Sequence, residues 1–257
     1  MIGCGVELSE AVLLHFTDTH LLEDSSGVLR GVNTFSSLNR IVELAKSTSF
    51  NSDAIVITGD IAEDGSTEAY KSLLRSLSSL EAPIRWVPGN HDNPAAMKAV
   101  AGKTELSEKS LSLNNWQIFL VDSTLNGCVH GDISRSELSW LDSCLSSTSD
   151  DIENTAVCLH HNPHEADAVW AKTIGLQNYT DFFEVLDRHD SVRFVLHGHI
   201  HQERRIVRNN VSYFCSPSTC FQFAPKSNRF ALDKVSPGYR SLTLRQDGSF
   251  NSEVHRL

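Results

Sequence analysis

The 257-residue chain lacks the features that mark membrane, secreted and nucleic-acid-binding proteins. It has no apolar run near the roughly 20 residues of a transmembrane helix, and its first ten residues carry no lysine or arginine, so neither a membrane span nor a secretory leader is expected. Its cysteines form no C-x-x-C pair, which indicates reduced thiols rather than a disulfide framework. The chain has only 22 basic residues against 32 acidic ones. The resulting net charge of −10 argues against a surface that binds nucleic acid. A cytoplasmic protein with no membrane or nucleic-acid partner is expected, and its scattered cysteines are Cys4, Cys128, Cys144, Cys158, Cys215 and Cys220.

The chain does contain short apolar runs that alternate with helical patterns along its whole length. No Pro/Gly-rich linker, repeat or low-complexity tract divides it, so a single domain over residues 1–257 is expected. Several runs are almost continuously apolar, as in strands covered on both faces. The pattern predicts a layered α/β domain whose final third is richer in strands. The predicted strands are Val12–Thr17, Ala54–Thr58, Ile84–Val87, Gln117–Val121, Ala156–Leu159, Phe194–Leu196, Val211–Cys215 and Tyr239–Leu244.

Four amphipathic patterns predict helices between these strands. The first follows Asn33 and Thr34, either of which could cap it. The third follows the capping-box pattern Ser134 to Glu137, and Thr180 could cap the fourth. The apolar positions are Phe35, Leu38, Ile41, Val42 and Ala45, then Tyr70, Leu73, Leu74 and Leu77, then Leu138, Leu141 and Leu145, and finally Phe182, Phe183, Val185 and Leu186.

Five clusters of metal-ligand residue types follow the predicted strands. They are D-T-H at 18–20, G-D at 59–60, G-N-H-D at 89–92, H-H at 160–161 and G-H-I-H at 198–201. In α/β folds, sites form beyond the carboxyl ends of strands, where these clusters fall. Each motif alone is common in turns, but the ordered set supplies enough carboxylate, imidazole and carboxamide ligands for two ions. Such a pair of metals suits the hydrolysis of a phosphodiester at neutral pH.

The residue types suggest how two ions would be held. If the chain is still extended at Asp18 and His20, both side chains leave one face and can grip one ion. Asp60 can bridge two ions, and Asn90 offers a neutral oxygen after Gly89, which permits a tight turn. Mixed nitrogen and oxygen ligation suits Fe, Mn or Zn better than Ca or Mg. Neutral imidazole nitrogens are available from His160, His199 and His201.

The order of these motifs resembles the signature of the calcineurin-like metallophosphoesterase superfamily. The resemblance extends to the bacterial class III cyclic 3′,5′-AMP phosphodiesterases of the CpdA type and covers the chain from residue 17 to residue 257. It implies a layered α/β/β/α sandwich of two mixed sheets flanked by helices. Stretches outside the ligand motifs that share it are G-V-N-T at 31–34, Q-E at 202–203, P-S-T-C at 217–220 and P-G-Y-R at 237–240.

The resemblance also assigns roles to individual residues. His91 would contact the phosphate and assist the leaving oxygen as the catalytic residue. His160 is the ligand expected from the pair 160–161, with His161 as the fallback. His197 departs from the pattern, since similar sequences carry a smaller residue such as cysteine there. One metal would be held by Asp18, His20, Asp60 and His201, the other by Asp60, Asn90, His160 and His199, and the substrate would be contacted by Asp18, His20, Asp60, Asn90, His91 and His201.

The implied activity is hydrolysis of cyclic 3′,5′-AMP to 5′-AMP by in-line attack of a metal-bound hydroxide. The cofactors would be two divalent or trivalent ions of Fe, Mn or Zn, and the partner would be a small cyclic nucleotide. Trp170, Phe221 and Phe223 could stack on its purine or could belong to the core. The sequence indicates no oligomeric state.

Other functions compete with this hypothesis. A phosphodiesterase or phosphatase of the same fold could act on 2′,3′-cyclic nucleotides, glycerophosphodiesters or dinucleotides, because metal ligands handle only the shared phosphoryl group. A non-catalytic scaffold could keep the fold without the metals, although the full ligand set with His91 argues against it. A nuclease is disfavoured by the acidic balance.

Overall fold

A computed structural model describes residues 10–48, 51–149 and 151–257 of the chain. Two large mixed sheets lie face to face, with helices on both outer faces. The strands are β1 (Glu10–Phe16), β2 (Ala54–Thr58), β3 (Ile84–Val87), β4 (Ser110–Leu113), β5 (Trp116–Leu120), β6 (Asn154–Cys158), β7 (Val192–His197), β8 (Arg204–Arg208), β9 (Val211–Cys215), β10 (Gln222–Phe223), β11 (Leu232–Asp233), β12 (Gly238–Arg245) and β13 (Phe250–Arg256). The helices are α1 (Thr34–Thr48), α2 (Thr67–Leu77), α3 (Pro94–Ala101), α4 (Arg135–Ser146) and α5 (Tyr179–Leu186), with 3₁₀ turns at Ser78–Leu80, Glu105–Ser107 and Val169–Ala171.

The strand order brings several strand ends together. The first sheet has the order β13-β12-β1-β2-β3, in which β1, β2 and β3 are parallel. The second has the order β4-β5-β6-β7-β9-β8, in which β5, β6, β7 and β9 are parallel. Every residue of β2, β6 and β9 is buried, which confirms their prediction as covered central strands. The carboxyl ends of these parallel strands carry the predicted clusters.

Three apolar layers hold the four layers of the fold together. One packs α1, α2 and α3 on the first sheet around Ile41, Tyr70 and Ile57. A second lies between the sheets and contains Trp116 and Phe194. The third packs α4 and α5 on the second sheet. The predicted α/β/β/α sandwich is therefore confirmed.

The helix starts match the predictions only in part. Asn33, not Thr34, caps α1, because its Oδ1 accepts the Ser36 N–H at 2.7 Å. The prediction of Thr180 as a cap was wrong, since α5 already begins at Tyr179. The short α3 was not predicted, although its cap at Asn93 is followed by proline at its first position.

The capping box at the start of α4 forms only one of its two bonds. Ser134 Oγ accepts the Glu137 N–H at 3.1 Å, as predicted. The Glu137 carboxylate does not turn back to Ser134. It accepts hydrogen bonds from the Asp122 N–H at 3.0 Å and from Lys109 Nζ at 2.6 Å. Glu137 therefore ties α4 to the loop after β5.

The cysteines and helices can be compared with the expectations of reduced thiols and of no membrane span. Five cysteines of the described ranges are free thiols, and burial raises the pKa of Cys215 and of Cys220 to about 12. Cys4, like the rest of the first nine residues, lies outside the described ranges. Among the helices that are described, none combines the length and apolar character needed to cross a bilayer.

Candidate active site

The predicted clusters meet where the carboxyl ends of the two sheets come together. Asp18 follows β1 and Asp60 follows β2 in the first sheet, while His160 and His199 follow β6 and β7 in the second. Backbone hydrogen bonds join these loops: the Asp18 N–H donates to Gly59 O at 3.0 Å. The His199 N–H donates to the Asp18 carboxylate at 3.1 Å, which ties the two sheets together at the site. The arrangement is a crevice of the kind expected beyond parallel strands.

One group of ligand atoms surrounds His201. Its Nε2 lies 3.0 Å from His20 Nε2 and 3.4 Å from Asp18 Oδ1. These three residues form a buried cluster able to hold a metal ion. Nitrogens bound at 2.0–2.1 Å to one tetrahedral ion lie roughly 3.3 Å apart, so the spacing fits a shared ion.

A second group surrounds His160. Its Nε2 lies 3.1 Å from His199 Nδ1, 3.2 Å from Asn90 Oδ1 and 3.4 Å from Asp60 Oδ2. Asp60 Oδ2 also lies 3.8 Å from His20 Nε2. Asp60 therefore stands between the two groups, as a bridging carboxylate must.

The electrostatics of the two aspartates suit cation binding. Burial alone would raise the pKa of Asp60, but the imidazoles of His160 and His20 hold it well below its usual range. Burial opposes ionisation of Asp18 in the same way, and His201 outweighs it, so the pKa of Asp18 falls to about 2. Both side chains are carboxylates at neutral pH.

Each of four histidines has one ring nitrogen bonded to an acceptor outside the centre and the other facing the ligand group. A fixed outer bond sets the tautomer and orients the ring, which is the usual arrangement around metal-binding histidines. A metal centre explains this pattern better than a purely structural histidine cluster does, because the inward nitrogens face one another. The outer bonds are His20 Nδ1 to Glu63 Oε2 (2.7 Å), His160 Nδ1 to Thr58 O (2.8 Å), His199 Nε2 to Ile174 O (2.9 Å) and His201 Nδ1 to Phe221 O (2.8 Å).

His161 differs from its neighbour His160 in this respect. It also lies close to His160 and His199. However, its Nδ1 lies 2.9 Å from Ser123 Oγ and its Nε2 3.2 Å from Val129 O, so both ring nitrogens have partners. Burial lowers the pKa of His161 to about 3. The geometry favours His160 as the ligand of the pair.

The backbone at the site is not extended. Asp18, His20, Asp60, His199 and His201 have φ values of 53°, 44°, 47°, 72° and 45°. The expectation that an extended chain places Asp18 and His20 on one face was therefore wrong, although both side chains still reach His201. Non-glycine residues in left-handed conformations are uncommon and cost about 1–3 kcal/mol each. Their concentration here shows that packing forces the backbone to present these side chains.

His91 lies at the mouth of the crevice. Its side chain is 37% exposed, and its backbone N–H donates to Asp60 Oδ1 at 2.9 Å. Its Nδ1 lies 3.3 Å from both the backbone oxygen and the Oε2 of Glu63. The Nε2 is thus left for a ligand in the crevice. His91 also lies with His20 and Glu63 in a third group of donor atoms close enough to hold a metal ion.

Two carboxylates at the site were missed by the sequence reasoning. Glu63 contacts both His20 and His91, and its only signal was its place three residues after Asp60. Asp92 accepts backbone hydrogen bonds from Gly89 at 2.9 Å and from Ile61 and Ala62 at 3.1 and 2.9 Å. It stood in the G-N-H-D motif, and it fastens the loop after β3 to the loop after β2.

An aromatic cluster lies beside His201. Phe223 stacks on the His201 ring at 4.0 Å between centroids, and Trp170 meets Phe223 edge-on at 5.4 Å. Phe230 contacts both of these rings and is 42% exposed. Phe221 is only 6% exposed and forms a wall behind His20 and His201. Trp170, Phe223 and Phe230, called the aromatic shelf below, therefore offer a surface next to the ligand groups.

His197 ends β7 and is buried, with Nδ1 3.3 Å from Gly198 O. Burial lowers its pKa to about 3, so it is a neutral residue of the strand end.

Comparison with known proteins agrees with this geometry. A sequence profile of the calcineurin-like phosphoesterases matches residues 11–203. A 3′,5′-cyclic-nucleotide phosphodiesterase of Nostoc sp. is 37% identical over 246 residues, which cover 95% of this chain and 92% of the relative. The 3′,5′-cyclic adenosine monophosphate phosphodiesterase CpdA of Escherichia coli K12 is 37% identical over 247 residues, or 95% of this chain and 89% of CpdA.

Solved structures share the fold at low identity. A dimetal phosphatase from Danio rerio superimposes with a TM-score of 0.64 at 16% identity, over 94% of this chain and 98% of that one. GAP50 of the Plasmodium inner membrane complex gives a TM-score of 0.68 at 13% identity, over 96% and 88%. Together with the profile and the bacterial relatives, the site geometry leads to one conclusion: the chain belongs to the calcineurin-like phosphoesterase family.

Proposed function

We propose that this chain hydrolyses cyclic 3′,5′-AMP to 5′-AMP in the crevice around Asp60. The observation that carries the proposal is the pair of ligand groups sharing this one buried carboxylate, each with imidazole nitrogens turned inward. Support for the substrate comes from the 37% identity to two cyclic-nucleotide phosphodiesterases over nearly their whole lengths. The aromatic shelf beside His201 suits a purine.

The family uses a divalent metal centre, and the donor set here fits one. Mixed imidazole, carboxylate and amide donors suit Fe, Mn or Zn. When bound, the ions would supply Lewis-acid activation of the phosphoryl group and of the attacking water. We assign one ion to Asp18, His20, Asp60 and His201, and the other to Asp60, Asn90, His160 and His199.

The remaining steps belong to side chains of the crevice. His91 is positioned to contact the phosphate through Nε2 and to give a proton to the departing 3′ oxygen. The Glu63 carboxylate lies 3.3 Å from Nδ1 and orients the His91 ring. Asn90 keeps its amide group available to the phosphoryl oxygens, since its Oδ1 faces His160. We expect the substrate to be contacted by these two residues together with Asp18, His20, Asp60 and His201.

We infer that residues 1–257 form one domain. The family profile ends at residue 203, but β12 pairs with β1 and β13 pairs with β12 in the first sheet. The C-terminal strands thus complete the sheet that carries Asp18 and Asp60. The free thiols of the described ranges suit a reducing compartment, and we propose the cytoplasm.

Product identification tests the proposal. Metal-loaded protein is expected to convert cyclic 3′,5′-AMP to 5′-AMP, metal-stripped protein is expected to be inactive, and single additions of Fe, Mn or Zn should restore activity. The panel includes 2′,3′-cyclic AMP, glycerophosphodiesters and bis(p-nitrophenyl) phosphate. Hydrolysis of bis(p-nitrophenyl) phosphate without hydrolysis of cyclic 3′,5′-AMP would contradict the substrate assignment. Absence of all hydrolysis in protein shown to contain metal would support a non-catalytic scaffold instead.

A further inference from the structure

A cleft of about 640 Å³ opens between the edge strands of the two sheets, apart from the candidate active site. On one side it is lined by β8 and β9, and on the other by β12 and β13. None of the residues proposed to contact metal or substrate lines it. We call it the edge cleft and define it by Arg205, Ser212, Phe214, Arg240, Phe250 and Ser252.

Arg240 is a buried cation that has no acidic partner among the described residues. It is 4% exposed, and it donates hydrogen bonds to Ser216 Oγ at 3.0 Å, Ser252 Oγ at 2.7 Å and Cys215 O at 2.9 Å. No carboxylate of the described ranges lies within ion-pair distance of it. Burial lowers its pKa only to about 10, so it stays charged at neutral pH. Buried arginines are normally paired, and this one is paired with neutral groups alone.

Arg205, on β8, adds a second positive charge from the side of the edge cleft opposite Arg240. Its one side-chain hydrogen bond within the described part of the chain goes to Ser212 Oγ at 3.2 Å, and no carboxylate there pairs with it. Its guanidinium carbon lies 5.6 Å from the centroid of the Phe214 ring, and that of Arg240 lies 4.8 Å from the same centroid. Two cations on one aromatic ring repel each other.

The other charged side chains that line the edge cleft already form ion pairs. Glu203 pairs with Arg256 at 3.2 Å, and Arg204 pairs with Asp167 at 2.9 Å. The side chains of the edge cleft therefore carry a net positive charge, although the whole chain carries a net charge of −10. Neither guanidinium has a carboxylate partner among the described residues, and an anion that contacts both would relieve their repulsion.

We propose that the edge cleft binds a phosphate group, either free or as a monoester. Arginine presents two parallel N–H donors that match phosphate oxygens, and the Ser212 and Ser252 hydroxyls can add further hydrogen bonds. The volume falls within the range of small-molecule sites. Phe214 and Phe250 offer apolar surface to the organic part of a monoester. This also gives a role to Arg240, the last residue of the P-G-Y-R stretch at 237–240.

Arg205 is a better probe of this site than Arg240. A chain of buried hydrogen bonds leads from Arg240 to the candidate active site, so its replacement would disturb Asp18 as well as the cleft. Arg205 is exposed and stands outside that chain. The chain runs from Arg240 to Ser216 (3.0 Å), His15 (2.7 Å), Thr58 (2.7 Å), Thr17 (2.9 Å) and Asp18 (2.8 Å).

Equilibrium dialysis of the metal-loaded protein against ³²P-labelled inorganic phosphate tests the proposal. Arg205→Gln is compared with Arg135→Gln, which removes the same charge from an exposed position on α4. We expect Arg205→Gln to bind one phosphate fewer per chain than Arg135→Gln and the wild type. Alternatively, it should bind that phosphate at least 10-fold more weakly. Equal numbers of sites with equal affinity in the two variants would overturn the proposal.

Competition then identifies the source of the phosphate group. Displacement of the Arg205-dependent equivalent by 5′-AMP would assign a monoester, and displacement by unlabelled phosphate alone would assign the free anion. Displacement by neither would contradict a phosphate site. The comparison of Arg205→Gln with Arg135→Gln does not depend on catalysis, because phosphate that binds at the metal centre binds equally to both variants.

Discussion

The Nδ1 of His20 and the Oε2 of Glu63 form a 2.7 Å hydrogen bond at the rim of the candidate active site. Burial acts to lower the pKa of His20, but this bond and the nearby Asp60 carboxylate raise it overall. The bond fixes the proton on Nδ1 and leaves Nε2 to face Asp60 and His201. Glu63 thereby connects a proposed ligand with His91, which lies 3.3 Å from the same oxygen.

Glu63→Gln tests that connection. Glutamine keeps the size of the side chain but removes the charge that orients His20, so we expect metal affinity to fall by about 10–100-fold, as for other outer-shell partners of ligands. Competition with a chelator measures the affinity, and kcat for cyclic AMP is expected to fall in parallel. Glu68→Gln, which removes a partly exposed carboxylate on α2 away from the candidate active site, is the matched control. Equal metal affinity in the two variants would show that Glu63 does not support His20.

His91→Ala is expected to keep its metal while losing rate. General acid catalysis contributes about 10²–10⁴-fold, so kcat for cyclic AMP should fall by that order. The loss should be much smaller for bis(p-nitrophenyl) phosphate, because p-nitrophenolate leaves without protonation. Metal analysis and kcat on both substrates are the measurements. An unchanged kcat for cyclic AMP would remove His91 from the mechanism.

Asp60→Asn is expected to lower the metal content and to remove nearly all activity. The amide cannot supply the negative charge that offsets two cations, so at least one metal should be lost per chain and nearly all turnover with it. Elemental analysis of the purified variant checks this. Asp64→Asn, an exposed carboxylate in the same loop, serves as the control. Full metal content in Asp60→Asn would exclude the bridging role.

The sequence could predict the site residues because short apolar runs end just before them. Ala54–Thr58 was predicted with the bounds that β2 has, and Asp60 follows it. The conformation at Asp18 and His20 could not be predicted, since left-handed φ values there depend on packing between loops of both sheets. Glu63 was missed for a related reason: its role rests on contact with His20, 43 residues away.

The edge of the fold was less predictable than its centre. β8 and β13 were not predicted, because residues with intermediate exposure alternate with exposed ones along β8 and no continuous apolar run marks either strand. Their place depends on pairing with β9 and β12, which is a long-range property. The edge cleft lies between these same strands, so it could not be seen in the sequence.

Trp170→Ala tests the aromatic shelf. Stacking on an aromatic side chain is worth about 1–3 kcal/mol per base, so we expect KM for cyclic AMP to rise roughly 5- to 150-fold with little change in kcat. The KM for bis(p-nitrophenyl) phosphate, which lacks a purine, should change less. Val169→Ala, an exposed neighbour, is the control. A similar rise in KM for both substrates would mean that Trp170 supports the crevice rather than the base.

His164→Phe tests the acid sensitivity of the fold. Burial, and then the nearby Arg204, lower the pKa of His164 from 6.5 to about 4. Between these values the unfolded chain binds a proton that the folded protein does not, so stability falls as pH falls from 6.5 to 4. Phenylalanine cannot titrate and retains an aromatic ring against Tyr213 and Phe183. We expect the free energy of unfolding, from urea titrations at matched metal loading, to fall less steeply with acid in the variant, by at most about 1.4 kcal/mol per pH unit. Parallel curves for the two proteins would show that His164 titrates alike in both states.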